Sequence, residues 1–442
     1  MSEPQVLATT LTETPALPAR GIAVRGRTLS RVLTFLMVFG PGIIVMTADN
    51  DAGAVSTYTQ AGAQYGTRLI WVVLLLLPVC YFIQEMVVRL GIATGQGHAA
   101  MIYKRFGRWW GRFSLGDLLL VNFLTIVTEF AAIALATAQL GIPPLIGVPL
   151  AAVGLVALVT SGRYRLWERI TIGLCLFDVA WLILAVGLHP VGLPVLRAAL
   201  IPQVPPGGIT SNLLFLIIAI VGTTIAPWQL FFQQSAVADK RLRFSDLRFS
   251  RLDTFVGACL TVAAATAMML VGDAATQHGI SYTNPAEMAV ALGTVAGPLV
   301  RAGILLLMIN AAVLGATAIS LSSSFAYGEV MGWPHSLERS FRQAPGFYTT
   351  YAIFVGLAAA IVLIPNAPLQ LIIIGVQVLA GVMLPSAVIF LQLLLNDHEL
   401  LGKYANKRWN NVINWTIIGV LFALSLILAV QVLAPNLFPS TS

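Results

Sequence analysis

The chain has 442 residues, of which 58% are hydrophobic and only 10% are charged. A water-soluble fold of this length could not cover so much apolar surface with so few polar side chains, so the composition excludes a soluble globular protein and indicates a membrane protein. The net charge of +7 does not indicate a nucleic-acid surface, because the basic residues follow the loops between apolar segments and do not form one stripe.

Apolar segments long enough to cross a bilayer core of roughly 30 Å recur about eleven times along the chain. The longest polar stretches between them, near 91–114, 238–251 and 330–343, are predicted to be short loops. No linker separates two independent halves, so we expect a single membrane domain over residues 32–433. The predicted spans cover residues 32–60, 66–90, 115–139, 142–161, 167–189, 209–237, 252–273, 295–328, 344–364, 368–396 and 411–433.

The distribution of basic residues predicts the orientation of the chain. Residues 1–31 are polar and rich in arginine, and they lack the apolar segment of a signal peptide, so we expect a cytoplasmic N-terminal tail. With this end inside, all of the 25 Lys and Arg residues except Arg68, Arg197 and Arg301 fall on the cytoplasmic side. Residues 434–442 then form a short extracytoplasmic C-terminus.

Two spans are interrupted at matching positions. Span 1 contains the polar run Asp49-Asn50-Asp51, and span 6, five spans later, contains Pro227. Each break has an ordinary explanation on its own, as a proline kink or as close packing at Gly53. Broken first helices in two five-helix units are nevertheless typical of an inverted-repeat transporter whose site lies near the bilayer midplane. The predicted repeats cover about 32–190 and 209–396, and span 11 is an addition.

Ionisable groups deep inside a span are costly and therefore indicate function. Asp49 and Asp51 lie in the break of span 1. No other span carries a Lys or Arg in its interior, except near its ends, so a cation from solution is the natural partner of these carboxylates. We favour Asp51 as the binding group, since unwinding at Gly53 can turn one carboxylate toward a cavity. Glu129, in the centre of span 3, is equally compatible with a proton relay and a structural role. Gln377, in span 10, is compatible with a ligand or an interhelical hydrogen bond.

The remaining polar groups favour simpler roles. The three cysteines and five histidines show no spacing that indicates a disulfide, a zinc site or a resident cofactor. Glu85 is expected to pair with Arg89 one helical turn later. Asp253 is expected to form a surface ion pair or to act at a helix N-terminus, and the roles of Asp117 and Asp178 stay open.

Two motifs resemble those of a known transporter family. Gly40-Pro41-Gly42, followed by Asp51-Ala52-Gly53-Ala54, is similar to the first helix of Nramp divalent metal transporters, whose motif reads Asp-Pro-Gly-Asn. Ala226-Pro227-Trp228-Gln229-Leu230-Phe231 stands where the family has Met-Pro-His-Asn-Leu-Phe, and Gln377 matches a glutamine of the tenth helix. The resemblance covers nearly all spans. It implies an all-α integral membrane protein with a LeuT-like inverted repeat of five plus five helices.

The resemblance also implies which residues surround the transported ion. Metal-binding positions would be Asp51, Ala48, Ala54, Thr223, Ala226 and Gln377. Positions around them or on the ion pathway would be Asp49, Trp228, Gln229, Gln233 and Glu129.

Departures from the family motifs determine the predicted substrate. Ala54 and Ala226 replace an asparagine oxygen and a methionine sulfur, and loss of the thioether removes a preference for transition metals. Mg²⁺ keeps much of its water and is bound through one or two carboxylates, which suits a wide site around Asp51. Trp228 and Gln233 stand where two histidines would be, so proton coupling is not expected. The pattern resembles the Nramp-related magnesium transporters.

We therefore expect a monomeric importer of Mg²⁺, and also of Mn²⁺, in a bacterial inner membrane, which works by alternating access and carries the metal as substrate. Alternatives are a proton-coupled Mn²⁺ or Fe²⁺ importer, and an organic amine or amino acid transporter in which Trp228 forms a stacking wall. An enzyme is not expected, because no nucleophile and base lie at a common depth.

Overall fold

The computed structural model describes residues 40–162, 164–205 and 208–433, and all secondary structure in these ranges is helical. Helices are expected here because backbone groups in a lipid environment must satisfy their hydrogen bonds within the same segment. The predicted tail at 1–31, the beginning of span 1 at 32–39 and the predicted C-terminus at 434–442 lie outside the described residues.

The helices of the described residues are numbered in chain order. Short 3₁₀ turns at Gly66–Leu69 and Gly402–Tyr404 connect some of them. The α-helices are α1 (Pro41–Ala48), α2 (Ala52–Tyr65), α3 (Ile70–Thr94), α4 (His98–Gln139), α5 (Pro144–Thr160), α6 (Tyr164–Phe177), α7 (Ala180–Leu188), α8 (Leu193–Leu200), α9 (Ser211–Thr224), α10 (Pro227–Asp239), α11 (Leu247–Gln277), α12 (Pro285–Ala296), α13 (Pro298–Met331), α14 (Pro345–Val362), α15 (Leu369–Leu395), α16 (His398–Leu401) and α17 (Arg408–Leu433).

These helices form the predicted set of spans. Within the described part of the chain, nine helical stretches are long and apolar enough to cross a membrane. One of them, Ala52–Thr94, holds both the second half of span 1 and all of span 2, and the shorter α5 is span 4. Span 1 is thus α1 with α2, and span 6 is α9 with α10. The all-α fold with broken spans 1 and 6 is confirmed.

Three local features differ from the sequence-based expectation. The predicted loop at 91–114 is wrong, because α4 starts at His98 and only bends at Gly107, whose φ of 85° interrupts the helix. Met101 and Ile102 are buried in this segment, while Lys104 and Arg105 are exposed. The segment is therefore an amphipathic helix, and the charges on its exposed face led to the wrong prediction of a loop. Span 5 is interrupted between α6 and α7, and α8 and α12 add short helices outside the predicted spans.

The packing of the two halves is reciprocal. The broken span 1 packs against α11, the second helix of the second half, and α10 of the broken span 6 packs against α3, the second helix of the first half. The third helices of the two halves, α4 and α13, pack against each other. This exchange places both breaks inside the bundle. Exposed large apolar side chains such as Leu145, Leu150 and Leu299 cover the outer surface, as expected for contact with lipid.

Candidate metal site at the two helix breaks

The break in span 1 consists of Asp49, Asn50 and Asp51. Asp51 has an extended backbone, with φ −69° and ψ −174°, and caps the N-terminus of α2. Its Oδ1 accepts a hydrogen bond of 2.9 Å from the backbone N–H of Ala54. A carboxylate in this position is stabilised by the positive end of the helix, and Asp51 is only 2% exposed.

Glu129 releases a backbone carbonyl at this break. In a continuous helix the N–H of Ala52 would donate to the carbonyl of Ala48. Here the Ala52 N–H donates instead to Oε2 of Glu129, at 3.0 Å. The Ala48 carbonyl therefore accepts no hydrogen bond from the described backbone. This oxygen lies at the negative end of α1, an orientation that favours a cation.

The break in span 6 releases a second carbonyl by a different route. Ile225 and Ala226 separate α9 from α10, and Ala226 is extended with φ −91° and ψ 146°. The residue four positions after Thr223 is Pro227, which has no N–H to donate. The Thr223 carbonyl therefore has no backbone donor among the described residues. The buried hydroxyl of Thr223 also has no hydrogen-bond partner among them.

Gln377 joins the two breaks. A methyl group on Gly53 would overlap the side-chain amide of Gln377, and one on Gly222 would overlap its backbone carbonyl. Only glycine leaves room for this approach. The side chain of Gln377 is buried, and its Nε2 forms no hydrogen bond with the residues described. Span 10 thus contacts both broken spans at the predicted depth of the ion.

Asp51 and Glu129 pack on the same glycine of span 8. A Cβ atom on Gly315 would lie 2.7 Å from Cβ of Asp51 and 2.8 Å from Cδ of Glu129. Neither carboxylate takes part in an ion pair with a basic side chain of the described chain. Over the same ranges, no three His, Cys, Asp or Glu side chains converge on one point. An ion held here would rely on carboxylate, carbonyl, amide and water oxygens.

Asp49 connects the two breaks through a chain of amides. Its Oδ1 accepts from Nε2 of Gln229, and Oε1 of Gln229 accepts from Nε2 of Gln84 at 2.8 Å. Oδ2 of Asp49 has no hydrogen-bond partner in the described residues. Asp49 and Gln229 therefore lie where the two breaks meet, at the contact between spans 1, 2 and 6.

The other predicted pathway residues differ in their distance from the breaks. Trp228 is completely buried two residues after Ala226, and its carbonyl accepts a 2.9 Å hydrogen bond from the hydroxyl of Ser322 in span 8. Gln233 donates to Thr254 of span 7 at 3.2 Å. Gln233 lies more than a turn beyond the break, so the structure does not bring it to the other candidate residues.

Side-chain hydrogen bonds hold both ends of span 1. The carboxylate of Asp253 accepts from the N–H groups of Gly40 and Gly42, at 3.3 and 2.7 Å. Asp253 does act at a helix N-terminus, as expected, but at that of α1 and not of its own helix, and it is buried. At the opposite end, the Tyr282 hydroxyl lies 3.0 Å from Oγ1 of Thr59. These contacts join span 1 to α11 at one end and to the loop before α12 at the other.

Glu85 forms the predicted pair with Arg89, with a separation of 3.2 Å, and also pairs with Arg251 of span 7 at 2.7 Å. Both carboxylate contacts lie at the same end of the bundle as Asp253. The sequence indicated the first partner, one turn away, but had no signal for the second.

The sequence also missed functional candidates in spans 2 and 8. Gln84 is a buried amide inside an apolar span, and this polar position was a usable signal. Gly315 and Ser322 carried none, because a glycine or serine in a membrane helix is common. Their roles depend on which residues of other spans they contact.

Comparison with known proteins assigns the family. The sequence profile described as natural resistance-associated macrophage protein-like (Nramp) matches residues 42–431. The chain belongs to the Nramp family. Members of this family are transporters and not enzymes, and the predicted resemblance to Nramp transporters is confirmed.

Individual Nramp proteins are similar over nearly their whole length. The chain is 27% identical over 426 residues to the divalent metal cation transporter MntH of Staphylococcus aureus, and the alignment covers 90% of this chain and 91% of MntH. The fold of this chain is similar to that of the Eremococcus coleocola manganese transporter, with a TM-score of 0.73 and 18% identity. That match covers 95% of this chain and 91% of the manganese transporter. The fold of MhsT, solved in complex with L-phenylalanine, is also similar, with a TM-score of 0.58, 15% identity and coverage of 89% and 98%.

Proposed function

We propose that this Nramp protein imports divalent metal ions by alternating access, with Mg²⁺ as the preferred substrate and Mn²⁺ as a second one, and without coupling to protons. The observation that supports this most is the set of donors at the two breaks. It consists of the Asp51 carboxylate, the carbonyls of Ala48 and Thr223, which have no backbone donor within the residues described, and the amide of Gln377.

The type and number of these donors favour a hard, hydrated cation. None of the proposed ligand residues carries sulfur, and Ala54 and Ala226 present only methyl groups. Mg²⁺ takes oxygen ligands and usually keeps several waters. Methyl groups at these two positions occupy less space than the asparagine and methionine of the family motif, which favours an ion that keeps its waters. A transition metal would gain from a soft ligand that the proposed set does not contain.

The membrane potential supplies a driving force without protons. Two charges that cross roughly 100 mV, negative inside, gain about 4.6 kcal/mol. This corresponds to an accumulation on the order of a thousandfold. Uptake of a divalent ion against its gradient therefore does not require a second ion.

Proton-coupled Mn²⁺ import is the second candidate function. Glu129 lies beside Asp51, is fully buried, and has an Oε1 without a hydrogen-bond partner in the described chain. A carboxylate in this position could accept a proton that the ion displaces. The similar proteins named above are described as divalent metal cation and manganese transporters, which also favours this candidate.

Uptake into proteoliposomes separates the two candidates. Purified protein is reconstituted with a Mg²⁺-sensitive dye or a pH dye inside, and uptake is measured at zero and at inside-negative potential. We expect Mg²⁺ uptake that rises with inside-negative potential and is abolished in Asp51→Ala. The pH inside the proteoliposomes should not fall during this uptake. The matched control is Asp117→Asn, which changes a half-buried acid bonded to Ser386 and should transport normally. Mn²⁺ uptake with acidification and no Mg²⁺ signal would establish the second candidate instead.

Ala226→Met tests the assignment of selectivity. The thioether should increase the preference for Mn²⁺ over Mg²⁺ by about tenfold, which corresponds to roughly 1.4 kcal/mol. Ala226→Leu is the control, because it adds similar bulk without sulfur and should weaken both ions together. Equal effects of the two substitutions would show that ligand softness at this position does not determine selectivity.

A further inference from the structure

The beginning of α4 carries a surface that the proposed metal site does not involve. Within it, residues 104–113 contain four basic and four aromatic side chains and no acidic one. We call this segment the basic-aromatic surface. It directly precedes the apolar part of span 3, and the predicted orientation places it at the cytoplasmic face of the membrane. Its basic residues are Lys104, Arg105, Arg108 and Arg112, and its aromatic residues are Phe106, Trp109, Trp110 and Phe113.

Three aromatic side chains of this surface are exposed. Trp109 is 73% exposed, Trp110 55% and Phe113 53%. The ring of Trp110 lies edge-on to those of Phe113 and of Phe390 in span 10, with centroid distances of 6.0 and 5.9 Å. Tryptophan concentrates at the depth of the lipid headgroups in membrane proteins, because the indole is largely apolar but also donates a hydrogen bond. These side chains therefore indicate contact with the headgroup region.

Two of the four basic side chains already have partners within the protein. Arg105 forms ion pairs with Asp397 and Glu399, at 2.5 and 3.0 Å. Lys104 donates a hydrogen bond of 2.8 Å to Oε1 of Gln96. The acidic side chains near the surface are thus used by the part of α4 that precedes the bend at Gly107.

The other two basic side chains follow that bend. Arg108 and Arg112 are exposed, and neither forms an ion pair within the described part of the chain. They are four residues apart, so they lie one helical turn from each other on the same face of α4. The guanidinium carbon of Arg108 is 5.8 Å from the ring centroid of Trp109. Two positive charges thus stand together beside exposed aromatic rings.

This combination fits the headgroup of an anionic lipid. A guanidinium group binds the oxygens of a phosphate through paired N–H donors, and neighbouring aromatic side chains can enter the boundary between headgroups and acyl chains. A soluble phosphate would meet the arginines but leave the aromatic side chains in contact with water, whereas a lipid covers both. We propose that Arg108 and Arg112, with Trp109 and Phe113, bind an anionic phospholipid of the cytoplasmic leaflet.

A lipid in this position would stabilise the packing of three spans. The ion pairs of Arg105 tie α4 to the segment between spans 10 and 11, and Trp110 contacts Phe390 of span 10. Binding to the next turn of α4 should therefore raise the melting temperature of the whole protein, because a ligand that binds only the folded state stabilises it. The proposal goes beyond the proposed function, since it does not depend on which ion is carried.

Lipid binding to the purified protein tests the proposal without a transport assay. Melting temperatures are measured in a neutral detergent with added phosphatidylglycerol, phosphatidylcholine or inorganic phosphate, and native mass spectrometry counts the lipids retained. We expect phosphatidylglycerol to be retained and to raise the melting temperature in preference to phosphatidylcholine, and inorganic phosphate to have no effect. Arg108→Gln with Arg112→Gln should weaken phosphatidylglycerol binding by about tenfold or more, because two charge-assisted contacts are lost.

The matched control removes the same charge from another exposed loop. Arg241→Gln with Arg243→Gln changes two exposed arginines between α10 and α11 that are also predicted to be cytoplasmic. The aromatic side chain beside them, Phe244, stacks on Tyr404 with a centroid distance of 3.7 Å. This double variant should bind phosphatidylglycerol normally. Without lipid, both double variants should melt at the temperature of the unsubstituted protein, since all four side chains are exposed.

Three results would overturn the proposal. One is equal retention of phosphatidylglycerol and phosphatidylcholine, and another is a stabilisation that inorganic phosphate reproduces. The third is a preference for phosphatidylglycerol that the two double variants keep or lose together, which would assign it to net charge alone. None of these results bears on uptake of Mg²⁺ or Mn²⁺, so failure of this proposal is distinguishable from failure of the proposed function.

Discussion

Single glycines determine how closely the donors of the proposed metal site can approach one another. Gly53 and Gly222 allow Gln377 to contact both breaks, and Gly315 allows Asp51 and Glu129 to pack against span 8. A side chain at any of these positions would occupy space that another residue already fills. The geometry of the site thus depends on missing Cβ atoms as much as on ligands.

Gly315→Ala should weaken metal binding by about ten- to hundredfold, because overpacking at Asp51 and Glu129 costs roughly 1–3 kcal/mol. The control is Gly303→Ala in the same helix, where a Cβ would meet only Leu184 at an ordinary distance of 3.6 Å. That variant should bind metal normally and gain up to about 1 kcal/mol from helix propensity. Isothermal titration with Mn²⁺ measures both, and equal affinities would contradict the packing argument.

Two helices are broken by different chemistry to the same effect. In span 1 a carboxylate from span 3 takes the N–H of Ala52, and in span 6 Pro227 provides no N–H at all. Each break releases a carbonyl at the negative end of a half-helix, and the two carbonyls belong to Ala48 and Thr223. Unwound backbone at mid-membrane is acceptable only where protein or a cavity surrounds it, as it does here.

Pro227→Ala should reduce uptake by at least about tenfold while thermal stability changes little. Pro227 is the first residue of α10, a position where proline is well tolerated, and alanine supplies an N–H that can donate to the Thr223 carbonyl. Pro149→Ala is the control, because Pro149 lies inside α5 and is exposed in span 4. It should transport normally in the proteoliposome assay. Full uptake by Pro227→Ala would show that the Thr223 carbonyl is not a ligand.

At the scale of the whole molecule, reciprocal packing of the two halves buries the breaks, and the outer surface is apolar. The bias of basic residues predicts which face is cytoplasmic. This prediction concerns loops between described helices as well as the termini, so exposed loop residues can report it.

The orientation can be measured by cysteine labelling in a Cys259→Ser background, since Cys80 and Cys175 are buried. Val204, 65% exposed between spans 5 and 6, is predicted to be extracytoplasmic, and exposed Arg243 to be cytoplasmic. Val204→Cys should react with a membrane-impermeant maleimide in intact cells, and Arg243→Cys only after permeabilisation. The reverse pattern would invert the proposed topology.

The sequence by itself determined the spans and the two breaks, and it identified Asp51 as an acid inside one of them. These follow from properties that single residues carry into any fold: apolar length, the missing N–H of Pro227, and the cost of a carboxylate far from water. The break in span 5 escaped detection because Asp178 lies in an apolar run without proline or glycine beside it.

Only the tertiary structure decided which groups share a position. Glu129 could be a relay or a structural acid until its contact with the Ala52 N–H placed it at the break. The partners of Asp178 were open until Asn50 and Asn310, from two other spans, were found against it. Gln233 matched a family position and yet lies with Thr254, away from the breaks. Such partners come from spans far apart in sequence, and the periodicity of one helix shows which face is polar but not what that face meets.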